Sequence, residues 1–138
     1  LDLDAVVSSW PSWDEVAADI AKTMSGPLID KGLNETREKY VDAEGLRARL
    51  GRLVSTWPQT KQRLEAQLIP AKQLQRMLVA AGAPSRPEDI GLTPQAVQET
   101  FPRAMYYRSR YTVLDVAREI GWFGELVDEV FAPGGVWS

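Results

Sequence analysis

Apolar residues recur along almost the whole chain at the three- and four-residue spacing of a helix face. Trp13, Val16, Ala17, Ile20 and Met24 form the first clear stripe. Ser12 stands immediately before it, and Glu15 is placed to return a hydrogen bond to the Ser12 amide, so a capping box is expected to start this helix. Gly26-Pro27 breaks the pattern, after which Leu28, Ile29 and Leu33 lead into a polar stretch, Asn34 to Lys39, expected as an exposed helix or loop. Leu46, Leu50, Leu53, Val54 and Trp57 make the next stripe, with Arg47, Arg49 and Arg52 on the opposite, solvated side. Pro58 is expected in the first turn of a further helix carrying Leu64 and Leu68, because a first-turn N–H has no intrahelical acceptor to lose. Pro70 interrupts that helix, and Leu74, Met77, Leu78 and Ala81 predict another over 70–81, closed by Gly82.

Residues 82–92 form the one clear connector; Pro84 and Pro87 restrict it, and Ile90 with Leu92 should pin it to the core. Thr93 and Pro94 are a good N-cap and first helical residue, and Pro102 predicts a kink or restart near Phe101. Ala104 and Met105 resume the helical pattern. Val113, Val116, Ala117 and Ile120, then Phe123, Leu126, Val127 and Val130, mark the last helices, with Gly121 and Gly124 as punctuation. Regular structure should end at Pro133-Gly134-Gly135. No segment alternates as a strand and none repeats at a fixed period. The expected fold is all-α, a multi-helix bundle-like single domain over residues 1–138.

Composition narrows the chemistry more than the fold. The chain of 138 residues carries 16 Lys plus Arg against 19 Asp plus Glu, a net charge of -3 that argues against nucleic acid as a partner. No apolar run reaches the roughly 20 residues a membrane span needs. Cysteine and histidine are both absent, which removes thiolate and imidazole metal ligands and the usual nucleophile and general base. Adjacent carboxylates at Asp14-Glu15, Glu88-Asp89 and Asp128-Glu129 are read as helix-start or solvated charges. No glycine-rich phosphate loop follows a strand, so no cofactor is expected to be bound by this chain. Leu1 stands where an initiating methionine would, with neither the basic start nor the apolar core of a signal peptide; removal of an upstream segment is expected.

The densest chemical run is Arg103 to Asp115, which interleaves arginines with tyrosines. Arg108 and Arg110 are the best candidates for contact with an anion, because a planar guanidinium fork matches phosphate or carboxylate. A structural role is the more frequent outcome for such a run: Thr112 with Asp115 is capping-box-like, and the arginines have Glu99 or Glu119 as possible ion-pair partners. No catalytic residue is assigned.

Three segments in order, Ala81-Gly82-Ala83-Pro84, then Pro87-Glu88-Asp89-Ile90-Gly91, then Arg108-Ser109-Arg110-Tyr111-Thr112-Val113-Leu114-Asp115, resemble the C-terminal region of sn-glycerol-1-phosphate dehydrogenases. These belong to the iron-containing alcohol dehydrogenase and dehydroquinate synthase-like superfamily. The resemblance covers roughly the last half of the chain. It implies a two-domain, cytoplasmic, NAD(P)-dependent oxidoreductase of phospholipid biosynthesis, in which an α/β nucleotide-binding domain precedes a helical one and a divalent metal such as zinc sits in the cleft between. It further implies hydride transfer to dihydroxyacetone phosphate, giving sn-glycerol 1-phosphate, with Arg108 or Arg110 as contacts to the substrate phosphate. The family's metal-binding aspartate and two histidines and its glycine-rich motif all lie upstream of the segments matched here. The expected partners are therefore the N-terminal α/β domain, a small phosphorylated substrate and, in an oligomer, further copies of the chain.

A reading of a different class takes the chain as a complete helical protein-interaction module without catalysis. Its tryptophans are generous for the length: Trp13 and Trp57 fit core stripes, whereas Trp10 and Trp137, near the ends, are expected at the surface.

Overall fold

The structure, a computed structural model, describes residues 1–137. Among these the regular elements are all helical. In chain order they are α1 (Leu3–Ser8), α2 (Trp13–Thr23), α3 (Leu28–Lys39), α4 (Ala43–Gln67), α5 (Ala71–Ala80), a 3-10 turn (Pro87–Ile90), α6 (Pro94–Gln98), α7 (Thr100–Tyr106), α8 (Val113–Glu119) and α9 (Phe123–Phe131). Local chemistry accounts for most boundaries. Ser12 and Glu15 close the capping box at α2, Asp42 caps α4 through the Gly45 amide, and Thr93 caps α6 through the Ala96 amide. Gly82 and Gly91 take positive φ, 68° and 76°, where the chain leaves α5 and the 3-10 turn.

The core is built where α2, α3 and α7 meet. Val16, Ile20 and Met24 pack with Met105 and Tyr106, and Trp13, Ile29, Leu33, Tyr40, Leu114 and Phe123 close around them. Gly32 permits the approach of α3 to α2, since a Cβ there would lie 3.0 Å from Ile20 Cγ2. A second set of contacts joins α1 to α4, and α9 packs on α6 and α8. Phe101, Phe131 and Trp137 form an aromatic ladder with ring centroids 5.9 and 5.6 Å apart.

Several expectations from the pattern are corrected. Pro58 does not start a helix: it lies inside the 25-residue α4, which runs through it unbroken by the expected boundary. No new start is capped there: Ser55 and Thr56, the residues able to cap one, instead donate to the Arg52 carbonyl, each at 2.9 Å, within the continuous helix. Trp57 is exposed rather than core. Asn34 to Lys39 is helical, and Lys39 is nearly buried rather than solvated, because the end of α3 runs against α7 and α8. Ile90 and Leu92 stay largely exposed; the connector is fixed instead by Asp89, whose carboxylate accepts from the Ser85 amide at 2.8 Å and the Arg86 amide at 3.0 Å. Trp10 is half-buried, stacked on Tyr40 with its indole N–H donating to the Val41 carbonyl at 2.8 Å, and Trp137 is half-buried against Phe131. Gly124 sits within α9 and breaks nothing. Near Pro102 the chain does restart, at Thr100, so that the proline falls in the first turn of α7.

The α4 stripe has an unusual course. At about 100° per residue, Leu46, Leu50, Leu53, Val54, Trp57 and Leu64 fall in one sector about 100° wide, interrupted by Lys61, and Leu68 follows as the C-cap. Its first part is out of water, Leu46 at 0% and Leu50 at 1% exposure, whereas Val54, Trp57, Leu64 and Leu68 stand at 48%, 46%, 38% and 64%. From Val54 to Gln67 every residue except Thr60 is exposed. α5 continues this character through Leu74, Met77 and Val79.

Candidate functional site

The loop joining α7 to α8, residues 107–112, carries both candidate arginines, and its neighbours explain how it is held. The Ser109 amide donates to Glu35 Oε2 of α3 at 2.6 Å. That bond, with help from Lys31 at 3.1 Å, holds the Glu35 carboxyl below the usual carboxylate range. Lys31 also lies 4.9 Å above the Tyr107 ring. The Tyr111 hydroxyl donates to Glu119 Oε2 at 2.6 Å, and the Arg49 guanidinium sits 5.0 Å over its ring. At the end of the loop the Thr112 amide and hydroxyl donate to Asp115 Oδ2 at 2.7 and 3.0 Å, completing the capping box expected at α8.

Behind the loop lies a buried polar layer. Asp115 Oδ1 is 2.6 Å from the Lys39 ammonium, with the two side chains 9% and 7% exposed. Lys39 also donates to the Met105 carbonyl at 2.5 Å. Arg49 pairs with Glu119 and donates to the Lys39 carbonyl at 3.3 Å. Arg118 lies between the rings of Trp10 and Tyr106, at 5.6 and 5.3 Å, and the Tyr106 hydroxyl donates to Asp19. Burial pushes the Tyr106 and Tyr111 hydroxyls above their ordinary range, and the carboxylates that accept from them add to the shift. Both phenols are thereby kept as hydrogen-bond donors.

Arg108 and Arg110 stand apart from this layer. Both are exposed. Arg108 lies 5.9 Å from the Tyr107 ring, and among the described residues neither arginine forms an ion pair. The partners open to them in the sequence are taken: Glu119 by Arg49 and Tyr111, Glu99 by Gln95 at 3.1 Å. The sequence pattern placed Arg49 on a solvated face and offered Glu119 to the arginines of the 103–115 run; it missed that Arg49 takes Glu119 and that Lys39 takes Asp115. The only hint of them was the density of charge flanking the apolar stripes.

Comparison with protein-family models, curated proteins and solved structures finds no match to this chain.

Among the described residues no group of three or more histidine, cysteine, aspartate or glutamate side chains is arranged to hold an ion, and the sequence offers carboxylates alone. What the loop can do is non-covalent: it offers the exposed Arg108 and Arg110 side chains on a backbone fixed by Glu35, Glu119 and Asp115. No described helix is long and apolar enough to cross a membrane.

Proposed function

We propose that this chain is the helical domain of a metal-dependent NAD(P) oxidoreductase of the glycerol-1-phosphate dehydrogenase type, docked by its apolar α4 face against a companion domain and forming one wall of the cleft between them. The observation that carries the reading is the α4 stripe, whose apolar residues recur on one face on both sides of Pro58, with Lys61 between them, while burial stops at Leu53. A helix face of this width normally lies against another element. The resemblance of the segments at 81–84, 87–91 and 108–115 supplies the identity of the companion, an α/β nucleotide-binding domain.

In this reading the metal and nicotinamide cofactor are held by residues outside those described, and the residues in hand take no part in hydride transfer. Their role is binding. Arg108 and Arg110 meet the phosphate of dihydroxyacetone phosphate, and the pinned loop limits the conformational entropy lost when they do. The test is the activity of the full gene product. NADH- or NADPH-dependent reduction of dihydroxyacetone phosphate is expected, with Arg108→Ala and Arg110→Ala raising KM at little cost to kcat. Unchanged KM in both variants removes the phosphate role, and absence of reduction removes the dehydrogenase reading.

The same stripe favours a second reading, a helical interaction module without catalysis, because Trp57 at the middle of an exposed apolar face is the residue type that anchors protein interfaces. Under that reading the chain alone captures a protein partner, and Trp57→Ala abolishes capture.

A further inference from the structure

Charge is divided unevenly between the exposed half of α4 with α5 and the rest of the molecule. From Arg52 to Ala80 the basic residues are Arg52, Lys61, Arg63, Lys72 and Arg76, against a single acid, Glu65, a net charge of +4. The remainder holds eleven basic and eighteen acidic residues, a net charge of -7. All five basic side chains of the 52–80 stretch are exposed. Glu65 approaches Lys61 at 3.8 Å with both side chains largely in water, a pair of small energetic weight. Among the described residues the other four cations form no ion pair.

The position of Lys61 shows what has to face this charge. It lies in the apolar sector of α4, between Trp57 and Leu64, and shares a groove at the α4–α5 corner with Leu64, Glu65, Leu68, Ile69 and Pro70. Whatever seats on the stripe takes the Lys61 ammonium out of water, and a desolvated ammonium needs a carboxylate in reach. Glu65 offsets one charge, which leaves the stretch at +4. Arg63 lies on the far side of α4 from the stripe, so a flat headgroup layer seated on the stripe leaves it in water, whereas a concave protein surface reaches both. Resting on the docked-domain reading proposed above, we infer that the companion surface is acidic and concave: an apolar floor receives Trp57 and Leu64, and carboxylates around it meet Lys61, Arg63, Lys72 and Arg76. Such complementarity fixes register and speeds encounter more than it adds affinity.

Hydrogen exchange over residues 54–80, compared between this chain and the full gene product, tests the inference. Docking by itself predicts exchange at least about tenfold slower in the full gene product. An acidic companion predicts in addition that this protection weakens as salt rises and is lost in a Lys61→Glu, Arg63→Glu, Lys72→Glu, Arg76→Glu variant, with exchange at the core residue Ile20 unchanged. Lys61→Gln, which adds no charge, should lose part of it. Protection that survives both charge reversal and high salt would overturn the inference and leave the docked-domain reading standing; equal exchange in chain and gene product removes both. Protection that appears only with phosphatidylglycerol vesicles, or only as the chain is concentrated, would assign the face to a lipid surface or to a second copy and overturn the acidic companion.

Discussion

The Lys39 ammonium and the Asp115 carboxylate meet at 2.6 Å with both side chains almost out of water. The same carboxylate caps α8 through Thr112, and the same ammonium reaches the last turn of α7 through the Met105 carbonyl. One ion pair thus fixes the ends of three helices. It also fixes the loop between α7 and α8 on which Arg108 and Arg110 are displayed. Behind the loop Lys39 pairs with Asp115 and Arg49 with Glu119, whereas Arg108 and Arg110 in front of it form no ion pair among the described residues.

Breaking the pair should therefore cost far more than removing a surface charge. Asp115→Asn leaves the Lys39 charge buried without its counter-ion, a loss of about 3–5 kcal/mol by analogy with other buried pairs. Urea unfolding followed by far-UV circular dichroism measures it. A loss below roughly 1 kcal/mol, the range of exposed pairs, would mean that water solvates Lys39 in the folded chain.

Alkaline pH should also unfold the protein in a defined window. Tyr106 and Tyr111 have folded pKa values raised above the ordinary 10.0, chiefly by burial. Between the unfolded and folded values the native state holds protons that the unfolded state has released, so stability falls as pH rises there. The contribution is intact below about pH 10 and is lost progressively above it. Urea midpoints measured from neutral to strongly alkaline pH should show this decline, and a Tyr106→Phe, Tyr111→Phe double variant should show a shallower one.

At the other end of the scale, the Glu35 carboxyl is held low mainly by the Ser109 amide. A depressed carboxylate stabilises the native state above its ordinary pKa, and that contribution disappears as pH falls through the folded value. Here the local readout is the loop. Glu35→Gln should speed hydrogen exchange at the Ser109 amide relative to the intrinsic rate, without altering exchange in the core at Ile20. Equal exchange in variant and parent would show that the loop is held by Tyr111 and Thr112 alone.

The sequence made the helices legible because their signals are local. Ser12 with Glu15, Thr93 with Pro94, Thr112 with Asp115 and Gly82 after Ala81 each act within one turn, and each appears in the structure in its expected role. Burial was much less legible. Leu50 and Leu64 occupy the same stripe, yet one is in the core and the other in water, since periodicity states which face is apolar and not whether anything covers it. The partners of Lys39 and Arg49 were illegible for a related reason: they come from α7 and α8, far along the chain, and no local rule links a lysine at the end of one helix to a carboxylate at the start of another. Arg108 and Arg110 were found as candidates by residue type, and the structure adds that their possible internal partners are engaged elsewhere.

The two halves of the α4 stripe should respond differently to the same truncation. Leu50→Ala opens a cavity in a packed site and is expected to cost about 2–5 kcal/mol. Leu68→Ala removes an exposed side chain and should change the stability of the chain by less than about 0.5 kcal/mol. Thermal unfolding of both variants makes the comparison. A large loss at Leu68 would mean that the exposed half of α4 is already covered in solution, by a second copy of the chain, and that loss would then depend on protein concentration.

Pro58 supplies the sharpest test of why that half of α4 has its present form. It lies in the helix interior, where proline removes one backbone hydrogen bond and its ring crowds the carbonyl of Val54 one turn back. Relative to alanine this costs about 3 kcal/mol in an isolated helix, offset by up to about 1 kcal/mol from the stiffer unfolded chain. Pro58→Ala should then stabilise the protein by about 2 kcal/mol and raise its thermal midpoint. If the variant also binds the α/β domain proposed above as its companion less well, the proline shapes the docking face between Trp57 and Leu64 at the expense of stability. If binding is unchanged, the helix direction past Pro58 is not part of the interface, and Val54 with Trp57 alone must anchor it.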